Sequence, residues 1–338
     1  MTDWRSGGRN AITDVPGIRV GHWSDRRRGT GCTVILCEAG ATAAVDVRGG
    51  APGTRETDVL AVTNLVRACH AVVLCGGSAF GLAACDGVMQ FLAERGAGFG
   101  TTARPVPIVS GAVVFDLSLG SAQAAPGAQA GHRAARAATG GRVAEGTVGA
   151  GTGVTVAKLL GPERALKGGL GTASLLGPRE IIVGAVTVTN SVGVIVDPDR
   201  AEVVAAPRAD DAGFLDLPEV LERRPDALEA LVENTTLAVV ATNAMLAPEA
   251  LQRISYAAHD GLARTITPVH TLADGDTAFA LSTGALEIAQ ADIASVHVLA
   301  QRAVELAVVR SVRNATGLHG IPAAAEWADE AGRGKRRV

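Results

Sequence analysis

The stretch Ile181–Val196 is the longest apolar run in the chain, and it is built largely from β-branched residues. Valine, isoleucine and threonine lose side-chain freedom in a helix and pack well on a pleated surface, so the run reads as strand. Asn190 interrupts it, which divides it into two buried strands meeting at a turn and argues against a membrane span. A second such run, Leu237–Thr242, follows the triplet Asn234, Thr235, Thr236. Buried strands of this kind, with helices between them along the chain, read as a layered domain.

What those layers are made of is constrained by side-chain size. Of 338 residues, 47% are hydrophobic but only 3% aromatic, and 42 are glycine. The core is therefore packed from small side chains, which lets strands and helices approach closely. The same scarcity of aromatics excludes a stacking platform for nucleic acid. A net charge of −3, with both signs interspersed, gives no field for a polyanion. The basic run from Arg333 to Arg337 reads as a solvated tail. Five cysteines fall in the first quarter without a C-x-x-C pair, which implies reduced, buried thiols and a cytoplasmic location. The N-terminus has no apolar h-region of a secretory signal.

Strand-like segments at Ile18–His22, Cys32–Cys37, Ala43–Val47 and Ala71–Cys75 open the chain, and a helix capped by Ser78 runs to about Arg95. A strand pair is expected at Pro105–Val109 and Ala112–Phe115, a partly helical segment at Ala122–Gly141, and extended structure from Gly146 to Gly153. Residues 197–225 read as an exposed connection. A short helix is expected at Asp226–Glu233, then longer ones at Pro248–Leu262 and Asp292–Thr316. Elements of the same kinds stand on both sides of the Asn234–Thr235 junction, so residues 1–338 read as one layered domain with the junction inside it.

The glycine clusters are weak signals. Gly149, Gly151 and Gly153 lack the third glycine spacing and the helix start that a dinucleotide loop needs. Gly76–Ser78, at a strand-to-helix turn, has the geometry of an anion site, with close packing as the simpler reason for glycine. The seven histidines show no metal-ligand spacing, so no metal and no cofactor are expected. A nucleophile-elbow serine is also absent. Thr235 is the better candidate: a hydroxyl on the first residue of a strand becomes a self-sufficient nucleophile if the chain is cut before it. The freed α-amine, with a reference pKa of about 7.7–8.0, then serves as base.

Taken in order, Ile12–Ile18 with Val20–His22, Arg48–Thr54, Gly76–Leu82, Lys167–Gly171, Asn190, Asn234–Asn243 and Asp274–Asp276 resemble the P1 family of peptidases, of S58 type. That family joins L-aminopeptidase/D-esterases and β-peptidyl aminopeptidases with the nylon-oligomer (6-aminohexanoate oligomer) endohydrolase. Threonine after asparagine resembles the oligomer-hydrolase branch. The resemblance implies an αββα four-layer sandwich like that of the N-terminal-nucleophile hydrolases. It also implies a precursor that cuts itself between Asn234 and Thr235 into an α chain of residues 1–234 and a β chain of 235–338. It further implies a homo-oligomer, a tetramer of αβ units.

In this reading Thr235 attacks a small peptide or amide substrate, and Asn190 donates to the oxyanion. Lys167 stabilises negative charge, while Asp274 and Asp276 orient the threonine and its ammonium. Phe115 stands in the substrate site where family members tend to have a tyrosine, and it cannot donate a hydrogen bond. Two other functions fit the residues: acyl transfer of the ornithine-acetyltransferase type, and a non-catalytic small-molecule binder that never matures.

Overall fold

The computed structural model describes residues 4–210, 213–223 and 234–328. The helix expected at 226–233 and the basic run at 333–337 lie outside them. Strands β1 (Arg19–Asp25), β2 (Thr30–Val47), β3 (Thr54–Arg55) and β4 (Ala68–Cys75) lead into helix α1 (Ala84–Glu94), and β5 (Val109–Val113) into α2 (Ala128–Arg136). Next come β6 (Thr155–Val156), β7 (Leu166–Lys167), β8 (Gly169–Leu176), β9 (Ile182–Asn190), β10 (Val194–Asp197) and β11 (Glu202–Ala205). The described chain continues with α3 (Leu217–Arg223), β12 (Thr235–Ala244), α4 (Pro248–Ala263), β13 (Ile266–Thr267), β14 (Thr277–Leu286) and α5 (Ile293–Arg313).

Hydrogen bonding joins the main strands in the order β3-β5-β4-β2-β14-β12-β9-β8, with β1 also on β2. The hinge of this arrangement is β2, 18 residues long, whose register shifts between Leu36 and Ala41. Before the shift β2 pairs with β1 and β4; after it, residues 42–47 pair with β14. An irregularity of this kind bends a strand, and here the two halves of the sheet face each other across an apolar layer. Alternation along the strands shows the layering. In β12, Leu237, Val239 and Ala241 join Ile35, Val72, Leu74 and Phe279 in the layer between the half-sheets. Ala238 and Val240 point the other way, onto α4 and α5. In β4, Val73 and Cys75 meet α1 and α2 instead. Three apolar layers between four strata make an αββα sandwich.

Close approach is bought with glycine, as the composition implies. A Cβ on Gly87 of α1 would meet the Ala128 carbonyl oxygen at 1.7 Å, and one on Gly171 of β8 would meet that of Ala307 in α5 at 2.0 Å. Neither contact is tolerable, so the two helix seams depend on the missing side chains.

Several local expectations are corrected. Within residues 105–115 there is one strand, β5, and not a pair, because only 109–113 align with β4. Gly149–Gly151 is a 3-10 turn, so the 146–153 segment is not extended. Ser78 is not a helix cap: Gly77 and Ser78 both have positive φ and open a 3-10 turn that precedes α1. The 181–196 run does make two strands, but β10 leaves the main sheet to pair with β11 and β13. Residues 197–223 carry β11 and α3 and bury Val204, Leu215 and Val220, so the segment is more than a connection. The five cysteines are free and buried. Among the described residues no helix is long and apolar enough to cross a membrane.

Candidate active site

Strand pairing brings the sequence-selected residues together. Thr235 begins β12 directly opposite Asn190, which ends β9. On its other side β12 runs parallel to β14, so the N-terminal ends of both strands coincide, and Asn234 bridges to Asp274. The Thr235 hydroxyl donates to the Asn234 carbonyl oxygen at 2.5 Å, and the Gly275 main-chain N–H donates to the same oxygen at 3.0 Å. The nucleophile candidate, the bond before it and a donor for that carbonyl therefore share one buried spot.

The two aspartates hold the backbone around this spot. Asp276 accepts the Thr236 N–H at 2.6 Å on one oxygen; the other takes the His270 N–H at 3.0 Å and faces His270 Nδ1 at 2.8 Å. Asp274 accepts the Thr271 N–H at 2.7 Å. Burial, and then the neighbouring charge of Asp276, push the Asp274 carboxyl above the ordinary range. It thus keeps its proton to higher pH than a solvated aspartate.

Asn190 is fixed by its surroundings. Its side-chain oxygen accepts the Thr155 N–H at 3.0 Å and Lys158 Nζ at 3.1 Å, while its amide donates to the Phe115 carbonyl at 3.1 Å. Phe115, half-buried, thus meets Asn190 through its main chain. Lys167 is placed differently from the expectation. Its ammonium is fully buried and donates to the carbonyls of Thr152 (3.1 Å) and Val154, which hold the backbone just before Thr155. Burial lowers its pKa to about 7, against the opposing pull of Asp116. Lys167 supports the segment that orients Asn190, and the lysine that reaches Asn190 itself is Lys158.

Sequence reasoning missed Lys158, although a lysine inside the apolar stretch Val154–Leu160 was a signal. It also missed Gly275 and His270. The Gly76–Ser78 turn holds an internal anion: Asp116 accepts the Gly77 N–H at 2.6 Å and the Thr30 hydroxyl at 2.8 Å. Burial pushes its pKa up to about 6. Among the described residues no cluster of three or more His, Cys, Asp or Glu is arranged to hold a metal ion.

The sequence profile of peptidase family S58 matches residues 10–325. An uncharacterised aminopeptidase of Mycobacterium leprae is 45% identical over 93% of this chain and 92% of its own length. The 6-aminohexanoate-oligomer endohydrolase of Paenarthrobacter ureafaciens is 33% identical over 84% of this chain and 78% of its own. Among solved structures, the L-aminopeptidase D-Ala-esterase/amidase of Ochrobactrum anthropi, described as a variant of the Ntn hydrolase fold, superposes with a TM-score of 0.73. It is 22% identical and covers 95% of this chain and 91% of that one. A Burkholderia β-aminopeptidase gives 0.72 at 23% identity, over 100% and 96%. These two likenesses show the αββα fold.

Proposed function

Because the chain belongs to peptidase family S58 and is a hydrolase of C–N amide bonds, we propose that it cuts itself between Asn234 and Thr235 and then uses Thr235 as an N-terminal nucleophile. Its substrates on this reading are small peptides, amino-acid amides or short amide oligomers. The supporting observation is the Thr235 hydroxyl lying on the Asn234 carbonyl that also receives the Gly275 N–H.

In the precursor, Thr235 Oγ attacks the Asn234 carbonyl carbon, and the Gly275 N–H meets the charge that grows on the carbonyl oxygen. The C–N bond breaks, and the hydroxyl proton ends on the Thr235 nitrogen. The resulting ester takes up water, leaving an Asn234 carboxylate, a free Thr235 hydroxyl and a free amine. In the cut enzyme that amine takes the hydroxyl proton during attack on substrate and returns it to the leaving amine. Asn190, paired with Thr235 and oriented by Lys158 and Thr155, is the side chain this reading gives to the developing oxyanion. The tetramer of αβ units belongs to the same proposal. Supporting it are the exposed apolar side chains Leu272, Leu65 and Phe80, which an assembly would cover.

Intact mass spectrometry of wild type beside Thr235→Ala tests the core of this reading. A new chain beginning Thr-Thr-Leu-Ala-Val in wild type alone is expected, with amide hydrolysis appearing only in the cut protein. A single uncut mass for both, after prolonged incubation, removes the self-processing mechanism.

A further inference from the structure

Two histidines that the chemistry above does not use stand behind the start of β12. His270 Nδ1 lies 2.8 Å from an Asp276 carboxylate oxygen that its own N–H also reaches, and the other oxygen of that carboxylate takes the Thr236 N–H. A carboxylate held by two donors on one oxygen cannot turn, so the other oxygen fixes where Thr236 sits. Facing an acceptor, His270 carries a proton on Nδ1, and among the described residues its buried Nε2 has no hydrogen-bond partner.

His259, from α4, meets this ring edge to face, with centroids 4.7 Å apart and planes at 77°. Its Nε2 must carry the proton, since its partner at 3.0 Å is the Asp46 carbonyl, and among the described residues its Nδ1 also has no hydrogen-bond partner. Burial keeps this fully enclosed imidazole neutral, with a pKa of about 4. A hydrocarbon side chain would fill either position without burying an unsatisfied nitrogen, so packing alone is a poor reason for histidine at both. His270 also sits at φ 58, a region where asparagine and histidine are tolerated better than most residues.

We propose that His270 is a positioning residue for the Thr235 chemistry: its Nδ1–H locks Asp276, Asp276 locks the Thr236 N–H, and the start of β12 is thereby held with the nucleophile in line. His259, seated on the Asp46 carbonyl, keeps the His270 ring in that orientation. The inference rests on the reading of Thr235 as nucleophile.

Three substitutions separate the donor from the shape. His270→Asn keeps a donor near the Nδ1 position and suits the backbone; His270→Phe keeps the ring without the donor; His270→Gln moves the donor one bond outward. Self-cleavage is followed after cell-free synthesis of the full chain, and kcat and KM are measured on an amino-acid 4-nitroanilide that wild type hydrolyses. The Phe and Gln variants are expected to cut themselves about 10–100-fold more slowly, the range for a lost hydrogen bond to a charged group. Their kcat falls by a similar factor with KM within about twofold, and Asn stays within about threefold of wild type. A folded Phe or Gln variant that works at the wild-type rate overturns the proposal, as does an Asn variant as slow as Phe. If the Phe variant does not fold, Asn against Gln decides. Wild type that stays uncut refutes the Thr235 reading itself, whereas normal wild type beside normal variants refutes only the role of His270.

Discussion

Alanine at Gly275 would put one methyl group between the nucleophile and the wall behind it. The backbone there is not in the left-handed region, so alanine is tolerated conformationally and only space opposes it. An ideal Cβ would lie 2.7 Å from Thr235 Oγ, 2.8 Å from the Ala51 carbonyl oxygen and 3.3 Å from Pro52 Cα. Ala51 is tied to the same turn, its N–H donating to the Asp274 carbonyl at 2.8 Å, so the part free to give is the Thr235 hydroxyl. Pushing that side chain off its rotamer costs about 0.5–1.5 kcal/mol, and overpacking of this kind about 1–3 kcal/mol in all. The fold should survive with Tm lowered by a few degrees, at roughly 2–4 °C per kcal/mol for a large domain. The chemistry should suffer more, because an attacking atom misplaced by about 1 Å loses about 10²-fold. We expect Gly275→Ala to cut itself about 10–100-fold more slowly, read as the fraction of new Thr235 N-terminus against time. Gly100→Ala is the control: a Cβ there meets nothing within 4 Å and its backbone is outside the left-handed region, so cleavage should be unchanged and Tm equal or slightly higher. A well-folded Gly275→Ala variant that cuts at the wild-type rate would refute the placement of the hydroxyl and the role given to the Gly275 N–H.

Lys158→Met and Lys167→Met should divide by effect. The first should slow self-cleavage and turnover by about 10² or more through Asn190. The second strips the donor from two buried carbonyls and should cost about 2–4 kcal/mol of stability, seen in urea melts, with cleavage kept within about fivefold. Asp116, raised from 3.8 to about 6, binds its proton more tightly in the folded protein, so its contribution to stability is complete below pH 3.8 and is lost as pH rises through about 6. Asp116→Asn should flatten that part of the stability–pH curve, and an unchanged slope in urea melts from pH 4 to 6.5 would contradict it. Phe115→Tyr restores a hydroxyl and should raise kcat about 10-fold if the ring faces the substrate; an unchanged kcat places the ring elsewhere.

How much of the site was legible depended on which atoms carry the role. Thr235 and Asn190 stand at strand ends and Asp274 and Asp276 in a turn-like Asp-Gly-Asp, positions that alone read as junctions and turns; the family resemblance singled them out, and strand pairing brings them to one spot. The lysine beside Asn190 was missed, because Lys158 and Lys167 both follow apolar residues and only the third dimension separates them. A positive φ at Ala157 and the β6–β7 hairpin turn one ammonium toward Asn190 and the other toward the carbonyls of Thr152 and Val154. Gly275 acts through a main-chain N–H, which no residue name reveals. His270 and His259 meet through the docking of α4 on β2, a contact with no short sequence spacing. In the fold, Cys32–Cys37 and Ala43–Val47 read as two strands in the sequence, yet the chain carries β2 straight through the irregularity that holds Gly40 at φ 82 and uses it to fold the sheet.

The proposed cut falls in the middle of the sheet, and this decides what cutting can do. β12 is paired with β9 on one side and β14 on the other, and β14 is paired with β2. Strands of the 235–338 part therefore lie between two strands of the 1–234 part, with α4 and α5 packed beneath them. Breaking one peptide bond removes none of these ladders, and Asp276 still holds the Thr236 N–H beside the new terminus. The two chains should remain one particle in native gel filtration and separate only in denaturant. The site, moreover, needs β9, β12 and the 270–276 loop together before the Gly275 N–H and Asn190 stand beside that peptide bond, so on this reading the chain folds before it cuts. A variant that keeps the wild-type far-UV circular dichroism and urea midpoint yet stays uncut has therefore lost the chemistry and not the sheet, and measuring both on one sample separates the two causes.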